Sequence, residues 1–199
     1  MLSDGFHDVP PGRVAAVVTH LEMARPAAPR DVPAPEGLTL EHLPDPDPDR
    51  YLALYRRVGS GDWLWFSRAV MPRDELASLL RDRRVQVHVL RQGDEDMGLC
   101  ELDFRVPGAC VLSFFGLAPD LVGQGAGRWM MNRAIELAWR DGVERFHVHT
   151  CTLDHPGALS FYRRSGFVPV SQQIEIATDP RLDGTLPEEA GPRVPIFRP

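Results

Sequence analysis

The residues with the clearest chemistry form a glycine-rich turn, in which Val122-Gly-Gln-Gly-Ala-Gly-Arg128 follows the apolar strand Ala109–Leu117. Glycine allows the backbone to turn tightly and to approach a ligand. The first amides of the helix predicted after this turn have no partner within the helix, and they lie at the positive end of its dipole. The spacing therefore predicts a site for a phosphate or pyrophosphate group, and hence a phosphorylated cofactor.

Two other glycine-rich turns that bind nucleotides do not fit this spacing. A P-loop continues from its last glycine to Lys and then Ser or Thr, whereas Arg128 and Trp129 follow Gly127 here. A dinucleotide-binding turn has glycines at its first, third and sixth positions, and the sixth position counted from Gly123 is Arg128. The sequence therefore gives little support to an NTPase or to a dinucleotide-binding enzyme.

The turn resembles motif A of the GCN5-related N-acetyltransferases, Gln/Arg-x-x-Gly-x-Gly/Ala. Gly125 and Gly127 match its small positions, and Val122 stands where the family usually has Gln or Arg. The segment Leu153–Phe167 is similar to motif B of the same family, Asn-x-x-Ala-x-x-x-Tyr-x-x-x-Gly-Phe, with His155 in place of the Asn. Two motifs in the right order and at the right separation are far more specific than either alone.

This resemblance covers roughly Val85 to Ile176 and implies acetyl-CoA as co-substrate, its pyrophosphate wrapped by motif A. The acetyl group would enter a gap between two central strands that splay apart, Ala109–Leu117 and Val143–Cys151. The residues that the resemblance places at the cofactor are Leu117, Val122, Gly123, Gln124, Gly125, Ala126, Gly127, Arg128, His155 and Arg164.

Catalytic candidates follow from the same resemblance. Tyr162 matches the family's tyrosine that protonates the departing thiolate, with helix packing as the alternative role. Many members place a glutamate base near the end of the strand before the glycine turn, but this chain has Ser113-Phe-Phe-Gly116 there. Glu101 on the neighbouring strand and His149 across the gap are therefore the candidates for removing the amine proton, and a structural role is the alternative for each.

Three aromatic residues, Trp63, Trp65 and Phe66, gather where the family builds its acceptor pocket. They can line an apolar or aromatic substrate site, and core packing beneath the loop is the alternative. His147 and His149 form a His-x-His pair of the kind that holds metals, but no third ligand is near in sequence. No metal is therefore predicted.

The composition limits the partners. The chain has 199 residues and a formal net charge of −6, which argues against broad nucleic-acid binding. No apolar run is long enough for a bilayer, and the N-terminus lacks a signal-peptide pattern, so a cytoplasmic protein without a membrane partner is expected. Cys100, Cys110 and Cys151 show no Cys-x-x-Cys spacing, and we expect buried reduced thiols.

Hydrophobic periodicity and turn signals predict a mixed α/β sheet flanked by helices, partly antiparallel, with a parallel β-α-β crossover after the glycine turn. The predicted strands are Val14–Met23, Leu38–Leu43, a strand through Val85 and Val89, Met97–Phe104, Ala109–Leu117, Val143–Cys151 and Phe167–Ile176. The predicted helices begin at about Pro48, at Pro72, after the glycine turn and at Pro156.

The predicted organisation is an N-terminal strand and proline-rich linker (1–36), an acetyltransferase domain (37–176) and a C-terminal surface tail (177–199). The predicted function is transfer of an acetyl group from acetyl-CoA to a primary amine of a small molecule or peptide by direct attack. A non-catalytic acyl-CoA-binding or regulatory module and a transferase for a longer acyl group are the alternatives. Exposed strand edges allow a homodimer.

Overall fold

A mixed sheet runs through residues 3–199, the part of the chain that the computed structural model describes. Within this range the sheet has seven strands in the order β2-β3-β4-β5-β6-β1-β7. The strands are β1 Arg13–Met23, β2 Leu38–Leu43, β3 Val85–Gln92, β4 Glu95–Asp103, β5 Ala109–Leu117, β6 Arg145–Cys151 and β7 Val168–Thr178. The α-helices are α1 Pro48–Gly59, α2 Arg73–Arg81, α3 Ala126–Ala138 and α4 Ala158–Arg164. The predicted fold class is confirmed.

The centre of the sheet contains its parallel pair. β5 and β6 pair in parallel from Ala109 opposite Arg145 to Leu112 opposite Val148, and α3 makes the crossover between them. All other neighbouring strands pair antiparallel. Past Leu112 and Val148 the two strands separate, so the predicted splay is present. The amides that alternate along the rest of β5 have no neighbouring strand on that side.

Helices cover the two faces of the sheet. The sequence starts α1 with Asp47, whose side chain accepts hydrogen bonds from the first amides of the helix, and with Pro48. The apolar stripes of α1 and α2 pack on one face, around Tyr55, Leu76 and Leu99. The other face carries α3 and α4 over a larger core. Burial of these apolar stripes is the main stabilising term.

The N-terminal strand lies inside the sheet and not beside it. β1 pairs with β6 on one side and with β7 on the other. Residues 13–23 thus share the sheet of the predicted acetyltransferase domain, and this brings His20 directly opposite His149. Hydrophobic alternation predicts the strand itself, but the alternation does not show which other strands pair with it.

The C-terminal segment is more buried than the predicted surface tail. Leu186 and Ala190 are each 2% exposed and pack with Val14 and Ala16 of β1. Asp179 and Arg181 form a buried ion pair with an N–O distance of 2.7 Å. The apolar residues of this segment thus cover the Val14 and Ala16 side chains at one end of β1.

β7 forms an edge of the sheet and exposes apolar side chains. Val168, Ile174 and Ile176 are each at least half exposed. An edge strand of this kind offers unpaired backbone groups to a partner. The homodimer stays a prediction. Among residues 3–199, no helix combines the length and the apolar character needed to cross a membrane.

Candidate active site

A cavity of about 700 Å³ opens where β5 and β6 separate. Most of the predicted site residues line it: Trp63, Trp65, Phe66, Leu117, Val122, Gly123, Gly125, Gly127, Arg128, His149, His155, Tyr162 and Arg164. Gln124, Ala126 and Glu101 are not among the lining residues. The fold therefore brings together the glycine turn, the aromatic loop after α1 and the end of β6, three segments that are far apart in the chain.

The glycine turn has the backbone conformation that only glycine adopts readily. Gly123 and Gly125 have φ values of 86° and 85°, in the left-handed region. A Cβ placed at either residue would meet no atom within 4 Å, so the space above the turn is open. The turn thus leaves its backbone accessible to a ligand.

The amides of this turn divide into two groups. Those of Val122, Gln124 and Arg128 donate to the carbonyls of Pro119, Leu121 and Gly125. Within residues 3–199, the remaining amides have no acceptor; they are those of Gly123, Gly125, Ala126 and Gly127. Fewer amides are thus free to bind a ligand than the sequence predicts, since the prediction included the whole segment Val122–Arg128. Free N–H groups at the start of a helix can bind an anion.

Arginines surround the start of α3. Arg128 donates from Nη1 to Ser165 Oγ at 3.0 Å, and its guanidinium lies over the Phe161 ring. Burial lowers the pKa of Arg128, and the nearby positive charges of Arg30 and Arg164 lower it further. Like charges gathered at one place favour an anionic ligand.

Arg30 does not line the cavity, but it lies near enough to Arg128 to lower its pKa, and it was not identified from the sequence. It lies in the proline-rich linker. Its backbone N–H donates to Asn132 Oδ1 of α3 at 3.2 Å, and Asn132 Nδ2 donates to its carbonyl at 2.8 Å. A linker arginine has no sequence signal of this role, because its position depends on how the linker packs on α3.

The aromatic loop forms the opposite wall of the cavity. Trp65 packs against Gly59 at the end of α1 and Gly116 in β5, where an added Cβ would overlap a neighbouring side chain. Trp63 contacts the His155 ring edge-on at a centroid distance of 4.9 Å. The two tryptophans and Phe66 thus give the cavity an apolar, aromatic side.

Asp154 holds this wall in place and was also missed from the sequence. Its Oδ1 accepts a hydrogen bond from Trp65 Nε1 at 2.8 Å. Its Oδ2 accepts from the Thr150 hydroxyl at 2.7 Å and from the Cys151 amide at 2.9 Å. Asp154 comes three residues after the end of β6. A short polar residue there is a sequence signal for a turn, but it does not indicate the aromatic partner.

Tyr162 lies in α4 and faces the cavity, although it is only 7% exposed. Burial raises its pKa well above the ordinary value, and the negative charge of Asp154 raises it further. The phenol therefore stays protonated at neutral pH. A protonated phenol in this position can give a proton to a departing anion.

Glu101 and His149 occupy different environments. Glu101 is fully buried, accepts a hydrogen bond from the Tyr51 hydroxyl at 2.5 Å and forms an ion pair with Arg68 at 2.6 Å. His149 lies at the cavity. The surrounding protein atoms lower the pKa of His149 below its usual value of 6.5, and His20 lowers it further. A neutral imidazole beside the cavity can accept a proton.

A family model described as the acetyltransferase (GNAT) family matches residues 45–167. The chain belongs to the GNAT acetyltransferase family. A search of curated proteins finds no significant match.

Solved structures share the fold of this GNAT chain. A GCN5-related N-acetyltransferase from Sphaerobacter thermophilus has a TM-score of 0.62 at 16% identity over 85% of this chain and 52% of its own. A conserved protein from Staphylococcus epidermidis has a TM-score of 0.58 at 14% identity over 83% and 62%. An acetyltransferase from Thermus thermophilus has a TM-score of 0.52 at 19% identity over 70% and 96%. This chain thus spans less than two thirds of the first two proteins.

Two positions of the GNAT motifs carry unusual residues. Val122 replaces the usual Gln or Arg, and its side chain is 55% exposed. His155 replaces the usual Asn, and its Nδ1 accepts a hydrogen bond from the Gly157 amide at 2.8 Å. His155 thus stabilises the turn that leads into α4, as the side chain of an asparagine can do.

Cys151 lies at the same cavity but does not have the properties of a nucleophile. Burial raises its pKa to about 12, with a further contribution from Asp154. The thiol therefore stays protonated and unreactive at neutral pH. The three cysteines are free, and Cys100 and Cys110 are buried, in agreement with the sequence analysis.

Proposed function

We propose that this GNAT domain transfers an acetyl group from acetyl-CoA to a primary amine. The observation that carries the proposal is the set of free amides of Gly123, Gly125, Ala126 and Gly127, which lie at an open corner beside the strand splay. These donors fit the pyrophosphate of coenzyme A, and Arg30, Arg128 and Arg164 add the positive charge that its phosphates need.

Acetyl-CoA would supply the acetyl group as a thioester. The backbone N–H groups of the splayed part of β5, up to Leu117, can donate to a carbonyl oxygen in the cleft. Tyr162 is the proposed acid, because its raised pKa keeps the phenol protonated beside the cavity. Direct attack by the amine is favoured over an acyl-cysteine, because the Cys151 thiol stays protonated.

The acceptor end of the cavity supports an amine on an apolar or aromatic body. Trp63, Trp65 and Phe66 offer the apolar wall, while Glu175 and Asp154 give this end a negative charge that attracts an ammonium group. A bound amine must lose a proton before it attacks. His149 is the proposed proton acceptor, since it is neutral and lines the cavity, whereas both oxygens of Glu101 are already occupied.

The test has two stages. Calorimetry with coenzyme A and acetyl-CoA comes first, and absence of binding at millimolar concentration would contradict the assignment. A thiol-release assay follows, with acetyl-CoA and with longer acyl-CoA thioesters as donors, on a panel of arylalkylamines, aliphatic amines and lysine peptides. We expect the arylalkylamines to give the highest kcat/KM. Cofactor binding without release of thiol for any acceptor would favour the non-catalytic module, and a preference for a larger acyl-CoA would favour the long-chain transferase.

A further inference from the structure

A cluster of histidines lies on the face of the sheet that carries α1 and α2, beyond the cover of these helices. His20 of β1 is directly opposite His149 of β6, and Glu22 is directly opposite His147. Because residues two apart on a strand share a face, the three imidazoles project from the same side of the sheet. His20 and His147 are half-buried, and His149 is exposed.

The three rings lie close enough together to share one metal ion. One nitrogen from each imidazole lies within 4.8 Å of one nitrogen from each of the others. His20 Nδ1 and His147 Nε2 are 3.3 Å apart. Two imidazole nitrogens on a tetrahedral zinc ion, each about 2.0–2.1 Å from the metal, are separated by about 3.3 Å. These two side chains thus already have the spacing of zinc ligands. The exposed His149 side chain would have to rotate to reach the same spacing.

The outward nitrogens of two of these rings face side-chain oxygens. His20 Nε2 donates to Gln173 Oε1 at 2.8 Å, which leaves the lone pair on Nδ1, the atom that faces His147. His147 Nδ1 lies 3.6 Å from Glu22 Oε1, and Arg145 donates to the same carboxylate oxygen at 3.3 Å. Metal-binding histidines have such a carboxylate or carbonyl acceptor behind them, because it fixes the tautomer and the ring orientation.

We propose that His20, His147 and His149 bind one Zn²⁺ ion, with its fourth position open to solvent. Three neutral imidazoles with an open position are a zinc-binding arrangement. The lowered pKa values of His147 and His149 agree with neutral rings at physiological pH. The proton that His147 shares with His20 moves to its Nδ1, beside Glu22, when Nε2 binds the metal.

Zinc binding has a consequence for the proposed base. The lone pair of His149 that would accept the amine proton is the one that would bind the metal. The two uses therefore exclude each other, and Zn²⁺ should inhibit acetyl transfer. This consequence rests on the proposed function, whereas the metal site itself does not.

The site is tested by direct binding. The full chain, stripped with a chelator, is titrated with Co²⁺ and followed by visible absorption, and then with Zn²⁺ by calorimetry. We expect one ion per chain and the intense absorption bands of four-coordinate Co²⁺, displaced by Zn²⁺. His20→Asn and His147→Asn should weaken Zn²⁺ binding at least about tenfold. His42→Asn is the matched control, since it alters a strand histidine that packs on His88 and lies outside the three-histidine cluster.

Each outcome decides the proposal. Absence of the cobalt bands in the wild-type chain would overturn it without any variant, and so would Zn²⁺ binding that His20→Asn leaves unchanged. Thermal unfolding of the metal-free variants checks that they fold, and added Zn²⁺ should raise the melting temperature of the wild type and of His42→Asn only. An active enzyme that binds no zinc contradicts this site alone, and a zinc-binding chain without transferase activity contradicts the proposed function alone.

Discussion

Trp65 and Asp154 are joined across the cleft by a hydrogen bond of 2.8 Å from the indole Nε1 to Oδ1. The bond links the loop after α1 to the turn between β6 and α4, so it fixes the proposed acceptor wall near the end of β6, the strand that carries His149. Asp154→Ala removes this bond and two others. We expect KM for the amine to rise about tenfold, a change of about 1.4 kcal/mol, with the Kd for acetyl-CoA unchanged.

Trp65→Phe tests the same bond from the other side, because it keeps an aromatic ring and removes the N–H donor. The double variant should cost less than the sum of the two single variants, as expected for residues in contact. Additive effects on KM would show that Asp154 acts through its bonds to Thr150 and Cys151, and not through Trp65.

A substitution in the glycine turn should change both the stability of the fold and the affinity for the cofactor, and the two effects can be measured separately. Gly125→Ala forces an L residue into the left-handed region and should cost about 1 kcal/mol of unfolding free energy. It also shifts the free amides at the start of α3, so the Kd for coenzyme A should rise about tenfold. The two quantities are read by urea unfolding and by calorimetry.

Gly142→Ala is the matched control for this variant. Gly142 has a φ of 84°, close to that of Gly125, and an added Cβ there also meets no atom within 4 Å. It lies beyond the other end of α3, away from the cavity. Equal loss of stability with no change in coenzyme A binding is expected, and weakened binding here would remove the special role of the Gly125 turn.

Tyr162→Phe deletes the proposed acid and keeps the ring that packs on Phe161 and Phe167. We expect kcat to fall about tenfold with the Kd for acetyl-CoA unchanged, because a thiol with an ordinary pKa near 8.5 needs only modest help to leave. The measurement is steady-state kinetics with calorimetry on the same preparation. An unchanged kcat would assign Tyr162 to packing.

The two candidate bases predict different signatures. His149→Ala should lower kcat/KM and remove the acid limb of the pH profile, which lies below pH 6.5 because the pKa of His149 is lowered. Glu101→Gln leaves the buried Arg68 without its counter-charge and should cost about 3 kcal/mol of stability. An acid limb that persists in His149→Ala and disappears in Glu101→Gln would reverse the assignment.

Local patterns predicted the elements, and most of the site residues that the family resemblance implies line the cavity. The bounds of Leu38–Leu43 and Ala109–Leu117 agree with the structure, because turn residues and alternation mark them in the chain itself. The place of β1 between β6 and β7 was not predictable, since pairing depends on the whole sheet. His20 joins His147 only through that pairing, and Asp154 meets Trp65 only through the folded loop.

The buried His88 should make the stability of the fold depend on pH, and His88 is not one of the proposed catalytic residues. It is 5% exposed, and burial lowers its pKa to about 4, with a smaller effect of His42. Below pH 6.5 the unfolded chain binds a proton at this residue that the folded chain does not bind. The contribution of His88 to the free energy of unfolding is therefore fully present above pH 6.5. It is lost as the pH falls toward about 4, which lowers the free energy of unfolding by about 3 kcal/mol.

His88→Gln removes this titration, so its unfolding free energy should fall less steeply than that of the wild type between pH 6.5 and 4. Urea unfolding at several pH values in this range gives the difference. His42→Gln is the control, because it removes only the smaller cause of the pKa shift and leaves His88 buried. It should keep most of the wild-type slope. Parallel pH curves for the wild type and His88→Gln would show that His88 accepts its proton in the folded protein near its ordinary pKa.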